Sequence, residues 1–155
     1  MKSLLLYTNV LLLYLIGNRR PELIGEKRLK QFDSTDRQKT NELCKKYSNH
    51  KTLPNILTEA SNILGSGRQE IVPGAAGFLK DYVRDVSEIF EASSVTVADP
   101  AYLRLGLTDA AILRLSTEET IVMTVDFELC NKLEMRGVGV VNLMRLKTPN
   151  RRERS

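Results

Sequence analysis

The run Thr120-Ile121-Val122-Met123-Thr124-Val125 constrains the fold of this chain more than any other stretch. A continuous apolar and β-branched segment, with no polar alternation and Asp126 stopping it, reads as a strand buried on both faces. Strands of that kind belong to parallel sheets covered by helices, so the chain is expected to be α/β with a central parallel sheet. Residues 3–16, SLLLYTNVLLLYLI, supply the first unit. A buried strand over Leu4–Tyr7 turns at Thr8-Asn9 into a helix over Val10–Ile16, which Gly17 ends. The same run resembles a secretory signal, but no small-residue cleavage site follows it. It is also shorter than the ~20 apolar residues that span a bilayer, so no membrane role is expected.

From Leu53 the helical period is sharp. Leu53, Ile56, Leu57, Ala60, Ile63 and Leu64 share a face, with Pro54 in the first turn and Gly65-Ser66-Gly67 at the end. A second amphipathic helix follows Pro73-Gly74, its buried side formed by Phe78, Leu79, Tyr82, Val83, Val86, Ile89 and Phe90. Asp81, Asp85, Glu88 and Glu91 then fall on its solvated face. Both apolar faces are broad enough for core and dimer contacts. Val95-Thr96-Val97 reads as a short strand, and Thr108 as the cap of a helix carrying Ala111, Ile112 and Leu115. Phe127–Arg136 reads as a helix that Gly137 ends before a last strand over Val138–Leu143. Short helices around Gly25–Phe32 and Thr35–Tyr47 fill the basic region between. One domain over residues 1–146 and a basic, mobile tail over 147–155 are expected.

The net charge of +4 is unevenly spread. Residues 18–51 hold ten basic and five acidic side chains, residues 52–144 seven and thirteen, and residues 145–155 five and one. That excludes a uniformly basic nucleic-acid wrapper and leaves an acidic centre with basic flanks. Cys44 and Cys130 are too few for a disulfide scaffold, which implies a reducing, cytoplasmic compartment. His50, the only histidine, reads as a solvated loop residue. A histidine-based zinc site or a Ser-His-Asp triad is therefore not expected.

In an open parallel sheet, ligands bind beyond the carboxyl ends of the strands, near the point where strand order reverses. That directs attention to Tyr7-Thr8-Asn9 and to Asp126, with Asp109 opening a helix and Glu59 bordering an apolar stripe. Three acids beside apolar residues on separate elements suit a hard cation such as magnesium, held by oxygen ligands. Such a cation activates water and offsets phosphodiester charge. Each acid also has a structural use: Asp109 in a helix first turn, Asp126 as an N-cap, Glu59 as a half-buried hydrogen-bonded residue.

The ordered segments LLLYTNVLLLYLIG, LPNILTEASNIL, LGLTDAAILRLS and TIVMTVDFELCNKLEMRGVGVVNL together resemble a PIN domain, over residues 3 to 144. The resemblance implies a three-layer α/β/α sandwich and a Mg2+- or Mn2+-dependent endoribonuclease of toxin type, with an antitoxin partner and a homodimer. It maps the family's acids onto Glu59, Asp109 and Asp126, implied to be both catalytic and metal-binding. Thr8, Asn9 and Thr124 match the polar residues that line the family's pocket. The family's first aspartate falls at position 7, which here is Tyr7. A phenol with a pKa of about 10 is neutral at pH 7 and cannot stand in for a carboxylate, so impaired or absent activity is expected.

RNA phosphates are expected to meet Arg19, Arg20, Lys27, Arg28 and Lys30, with Arg151, Arg152 and Arg154 in the tail. The rival expectation is a catalytically dead PIN-like module that binds an antitoxin or other protein. A structure-specific DNA nuclease fits less well, because the chain is compact.

Overall fold

Every residue of β1 (Ser3–Leu6) and of β4 (Thr120–Thr124) is buried, so both faces of these strands are covered. The computed structural model, which describes residues 1–144, pairs them in parallel with Ser3 opposite Thr120 and Leu6 opposite Met123. On the other side of β1 lies β2 (Asn49–Thr52), then β3 (Ser87–Glu88); beyond β4 lies β5 (Gly139–Asn142). The result is an α/β fold with a five-stranded, all-parallel sheet in the order 3-2-1-4-5, flanked by helices. Strands two and three extend the sheet to one side of β1, and the chain then crosses back to lay β4 on the other. The carboxyl ends of β1 and β4 therefore flank the point where strand order reverses.

Helix α1 (Thr8–Gly17) is apolar nearly all round and is buried at Val10, Leu11, Leu12, Leu13, Leu15 and Ile16. A helix without a polar face has to be enclosed. It packs against α2 (Ser34–Lys46), α3 (Pro54–Leu64) and α4 (Ala75–Asp85). Asp33 and Asp36 form a reciprocal capping box that starts α2. Around Arg20–Lys30 the chain makes 3₁₀ turns at Pro21–Leu23 and Lys27–Leu29 in place of a longer helix. Two short helices, α5 (Ser93–Thr96) and α6 (Tyr102–Leu105), precede α7 (Leu107–Leu115), and α8 (Phe127–Met135) follows β4.

Several expectations change. Residues 95–97 are not a strand: α5 occupies them in part, and Val95 and Val97 are exposed. The third strand is instead Ser87–Glu88, because the preceding helix ends at Asp85 and Val86 is extended. Lys51 and Thr52 then pair with Ser87 and Glu88, and Ile89 N–H reaches Thr52 C=O at 2.9 Å. Glu88 is thus a strand residue, and Val83 and Phe90 are exposed instead of buried. Strand β2 was hidden by its polar sequence, NHKT, which shows no apolar alternation. His50 lies on that strand, half-buried, with its ring Nε2 at 2.8 Å from Tyr47 C=O and 3.0 Å from Cys44 C=O. The strand at 120–125 stops one residue early, at Thr124. The tail at 147–155, including Arg151, Arg152 and Arg154, lies outside the described residues. Among those described, no helix is long and apolar enough to cross a membrane.

Candidate active site

Tyr7 is the first residue past β1. Its backbone N–H continues the sheet to Met123 C=O at 2.9 Å, and its C=O accepts from Leu11 N–H at 2.8 Å to open α1. Tyr7 occupies the N-cap position without capping the helix through its side chain. The phenol instead donates to Asp109 Oδ1 at 2.8 Å. Thr8, buried, donates its hydroxyl to Glu59 Oε1 at 2.6 Å. Glu59 stands on α3, near the middle of the helix that packs against α1.

Thr108 supplies the other half of that clasp. The expected cap position moves back to Gly106, whose φ of +91° suits only glycine, so α7 begins at Leu107. Thr108 is then inside the helix, and its hydroxyl donates to Glu59 Oε2 at 2.7 Å. Both oxygens of Glu59 are therefore held by hydroxyls, one from α1 and one from α7. Sequence reasoning missed this role for Thr108; its place immediately before Asp109 was the available signal.

Asp126 behaves as the N-cap of α8. Its Oδ1 accepts from Leu129 N–H at 3.0 Å, and its own N–H donates to the buried Thr124 hydroxyl at 3.2 Å. Asn9 is half-buried in the first turn of α1 and makes no side-chain hydrogen bond among the described residues.

The electrostatics show that these groups form one cluster. Asp109 is 6% exposed, and its pKa is pushed up to about 6. Burial is the main cause; the charges of Asp126, Glu59 and Glu128 add to it, and the Tyr7 hydrogen bond opposes them. Burial, then the Asp109 charge and hydrogen bond, then Glu59 and Asp126, hold the Tyr7 phenol well above its ordinary value. It stays a neutral donor. Glu128, one helical step beyond Phe127, was not foreseen in the sequence, and Arg104 on α6 pairs with it.

The candidate phosphate contacts lie elsewhere. Helix α1 runs ten residues from Thr8 through Gly17, about 15 Å in length, and Arg19 and Arg20 follow its far end, away from the acids. Arg19 sits over the Phe78 ring at 4.5 Å and donates to Leu15 C=O, while Arg20 pairs with Glu22 at 2.6 Å. Lys27, Arg28 and Lys30 are exposed around the second 3₁₀ turn. A cavity of about 410 Å3 also lies toward that far end, between α1 and α4, lined by Tyr14, Arg19, His50, Phe78 and Tyr82.

Among the described residues, no group of three or more His, Cys, Asp or Glu side chains is arranged to hold a metal ion. Each of the three candidate acids has a hydrogen-bond partner within the protein. Asp109 is engaged by Tyr7, Glu59 by Thr8 and Thr108, and Asp126 by the end of α8. With tyrosine at position 7, Glu59, Asp109 and Asp126 do not fit a divalent cation as they stand.

Fold and site together define an α/β protein with an acidic cluster at the switch point of a five-stranded parallel sheet, an arrangement compatible with a PIN-like, Rossmann-type fold. No protein-family model matches the chain, and no curated protein matches its sequence.

Proposed function

We propose that this chain is a PIN-like endoribonuclease scaffold of toxin type whose phosphodiester-cleaving site is held out of action by Tyr7. The observation that carries the reading is the convergence of Tyr7, Glu59, Asp109 and Asp126 on the carboxyl ends of β1 and β4, where such folds bind ligands. Tyr7 fills the place that an aspartate takes in the family this sequence resembles, and its phenol occupies Asp109. An aspartate there would remove the ring and the donor and would add a carboxylate at the end of β1. The cofactor implied for that form is Mg2+ or Mn2+. In the present chain, Thr8 and Thr108 orient Glu59, and Thr124 fixes the turn that carries Asp126.

The test is Tyr7→Asp beside the parent chain, each incubated with labelled single-stranded RNA and Mn2+. The reading expects cleavage by the substituted protein alone, abolished by chelation. A folded Tyr7→Asp protein that leaves RNA intact removes its support.

A second reading draws on the same hydrogen bonds. Asp109 and Glu59 are satisfied without a cation, which suits a PIN-like interaction module that binds an antitoxin or a second copy of itself. Calorimetric titration of Mn2+ into the Tyr7→Asp protein separates the two. Strong binding that requires Asp109 and Asp126 contradicts the module.

A further inference from the structure

The cavity of about 410 Å3 between α1 and α4 lies at the amino ends of β2 and β3, at the opposite end of the sheet from Tyr7. Gly17, Lys46 and Asp85 end α1, α2 and α4, and Asn18, Ser48 and Val86, just past those ends, all line it. Three helix carboxyl ends, each equivalent to about half a negative charge, therefore meet at one space. The donors already present are drawn to their carbonyls. Arg19 donates to Leu15 C=O, the Asn18 amide to Tyr14 C=O at 2.9 Å, and His50 Nε2 to Cys44 and Tyr47 C=O.

Phe78, Asp81, Tyr82 and Asp85 stand at i, i+3, i+4 and i+7 on α4, and all four line the cavity. Rings and carboxylates thus alternate along one wall, and Tyr14 of α1 meets Tyr82 edge-on with centroids 6.2 Å apart. Asp81 and Asp85 carry a double cost here, because like charges four residues apart repel and acids near a helix carboxyl end oppose its dipole. Little offsets it. Arg84, itself exposed, comes no closer to Asp81 than 4.0 Å, and Asp85 has no ion pair among the described residues. Arg19 sets one positive charge against these two, and its guanidinium lies over the Phe78 ring at 4.5 Å, so this wall already accepts an organic cation.

We infer that the cavity binds an aliphatic polyamine, its methylene stem against Tyr14 and Tyr82 and its ammonium groups facing Asp81 and Asp85. The two carboxylates are about 6 Å apart along the helix, which suits two cationic heads on a short stem. Alkylammonium groups stay protonated at neutral pH, as that of lysine does, and such stems cover apolar surface while the heads stay at a wet rim. A space of this volume suits a small molecule. Among the described residues no cluster of acids and histidines is arranged for a bare metal ion, which favours an organic cation over an inorganic one. This site does not rest on the nuclease reading.

The test is calorimetric titration of spermidine, putrescine and butylamine into the full chain. Expected affinities fall in that order, since each step removes a charged head. Asp81→Asn and Asp85→Asn each weaken putrescine binding about threefold or more, and because both side chains are exposed these variants keep the fold. Tyr82→Leu weakens it by a similar factor and Tyr82→Phe retains it. Asp109→Asn binds as the parent does. Absence of spermidine binding by the parent overturns the assignment, as does parent-like binding by both Asp81→Asn and Asp85→Asn. Displacement of spermidine by magnesium chloride as effective as by putrescine at equal ionic strength also overturns it, by reducing the site to bare charge. Loss of binding in Asp109→Asn overturns it by moving the amine to the acidic cluster. A lysine-containing peptide that binds where spermidine does not overturns it as well and assigns the face to a protein contact.

Discussion

Asp99 and Asp109 are the same residue type at the same burial, each 6% exposed, and their surroundings drive them in opposite directions. Asp99, ahead of α6, receives both Arg136 nitrogens at 3.1 and 3.0 Å and the Ala101 N–H at 2.9 Å. Arg114 approaches it to 3.8 Å and also pairs with Glu91, which accepts from Thr96. Glu91, expected on a solvated helix face, is instead part of this network. The Arg136 hydrogen bonds first, then the Ala101 N–H, hold the Asp99 carboxyl below its usual range. Burial first, and then the charges of three neighbouring carboxylates, push the Asp109 carboxyl up to about 6 against the opposing hydrogen bond from the Tyr7 phenol. Burial of an aspartate is structural where guanidinium groups compensate it. Where only acids surround it, the fold bears an uncompensated cost at the place ligands are expected to bind.

The largest expected break in this contrast is Tyr7→Asp, which adds a fourth carboxylate to the uncompensated cluster. RNA cleavage should rise by at least about a hundredfold over the parent, as follows when a missing catalytic group is supplied. The same change should lower stability in metal-free buffer and make it responsive to Mn2+, read as a metal-dependent melting temperature.

Asp99→Asn should cost about 2 kcal/mol in urea denaturation at neutral pH, because it leaves Arg136 without its charge partner. The figure lies below that for a fully buried pair, because Arg136 is partly exposed. Since Asp99 ionises more readily folded than unfolded, its contribution is present above the ordinary aspartate value. It is lost as pH falls below about 4.

Asp109→Asn should act the other way and stabilise the protein by about 1–2 kcal/mol at pH 8. The folded state holds the Asp109 proton more tightly than the unfolded state does. Its contribution is therefore full below about pH 4 and is lost as pH rises through about 6. Parent and Asp109→Asn stability curves should diverge across that window, and coincident curves would contradict the raised pKa. The smallest effect is expected from Thr108→Val, which frees one Glu59 oxygen at a cost of about 1 kcal/mol in the same denaturation assay. Thr108→Ser should restore most of it.

Much of the fold was legible along the chain. The runs at Leu4–Leu6 and Ile121–Thr124 marked the central strands because burial on both faces leaves an unbroken apolar signature. The pattern at Leu53–Leu64 marked α3 for the corresponding reason. Strands β2 and β3 were not legible. NHKT and the Ser87-Glu88 pair carry no such signature, and their strand character comes from hydrogen bonds to β1 and to each other. Candidate residues were legible because acids interrupting apolar segments are rare enough to notice. Their partners were not: nothing local indicates that Thr108 reaches Glu59, 49 positions earlier, or that Tyr7 reaches Asp109, 102 positions later.

By itself, then, the sequence determined the class of fold and which acids stand at element ends, since periodicity and burial are properties of neighbouring residues. Only the tertiary structure decided that Asp109 lies among carboxylates while Asp99 lies among guanidinium groups. It also decided that Arg19 and Arg20 lie at the end of α1 away from the acids. Charge compensation depends on distance through space, and the crossover from β3 to β4 sets those distances.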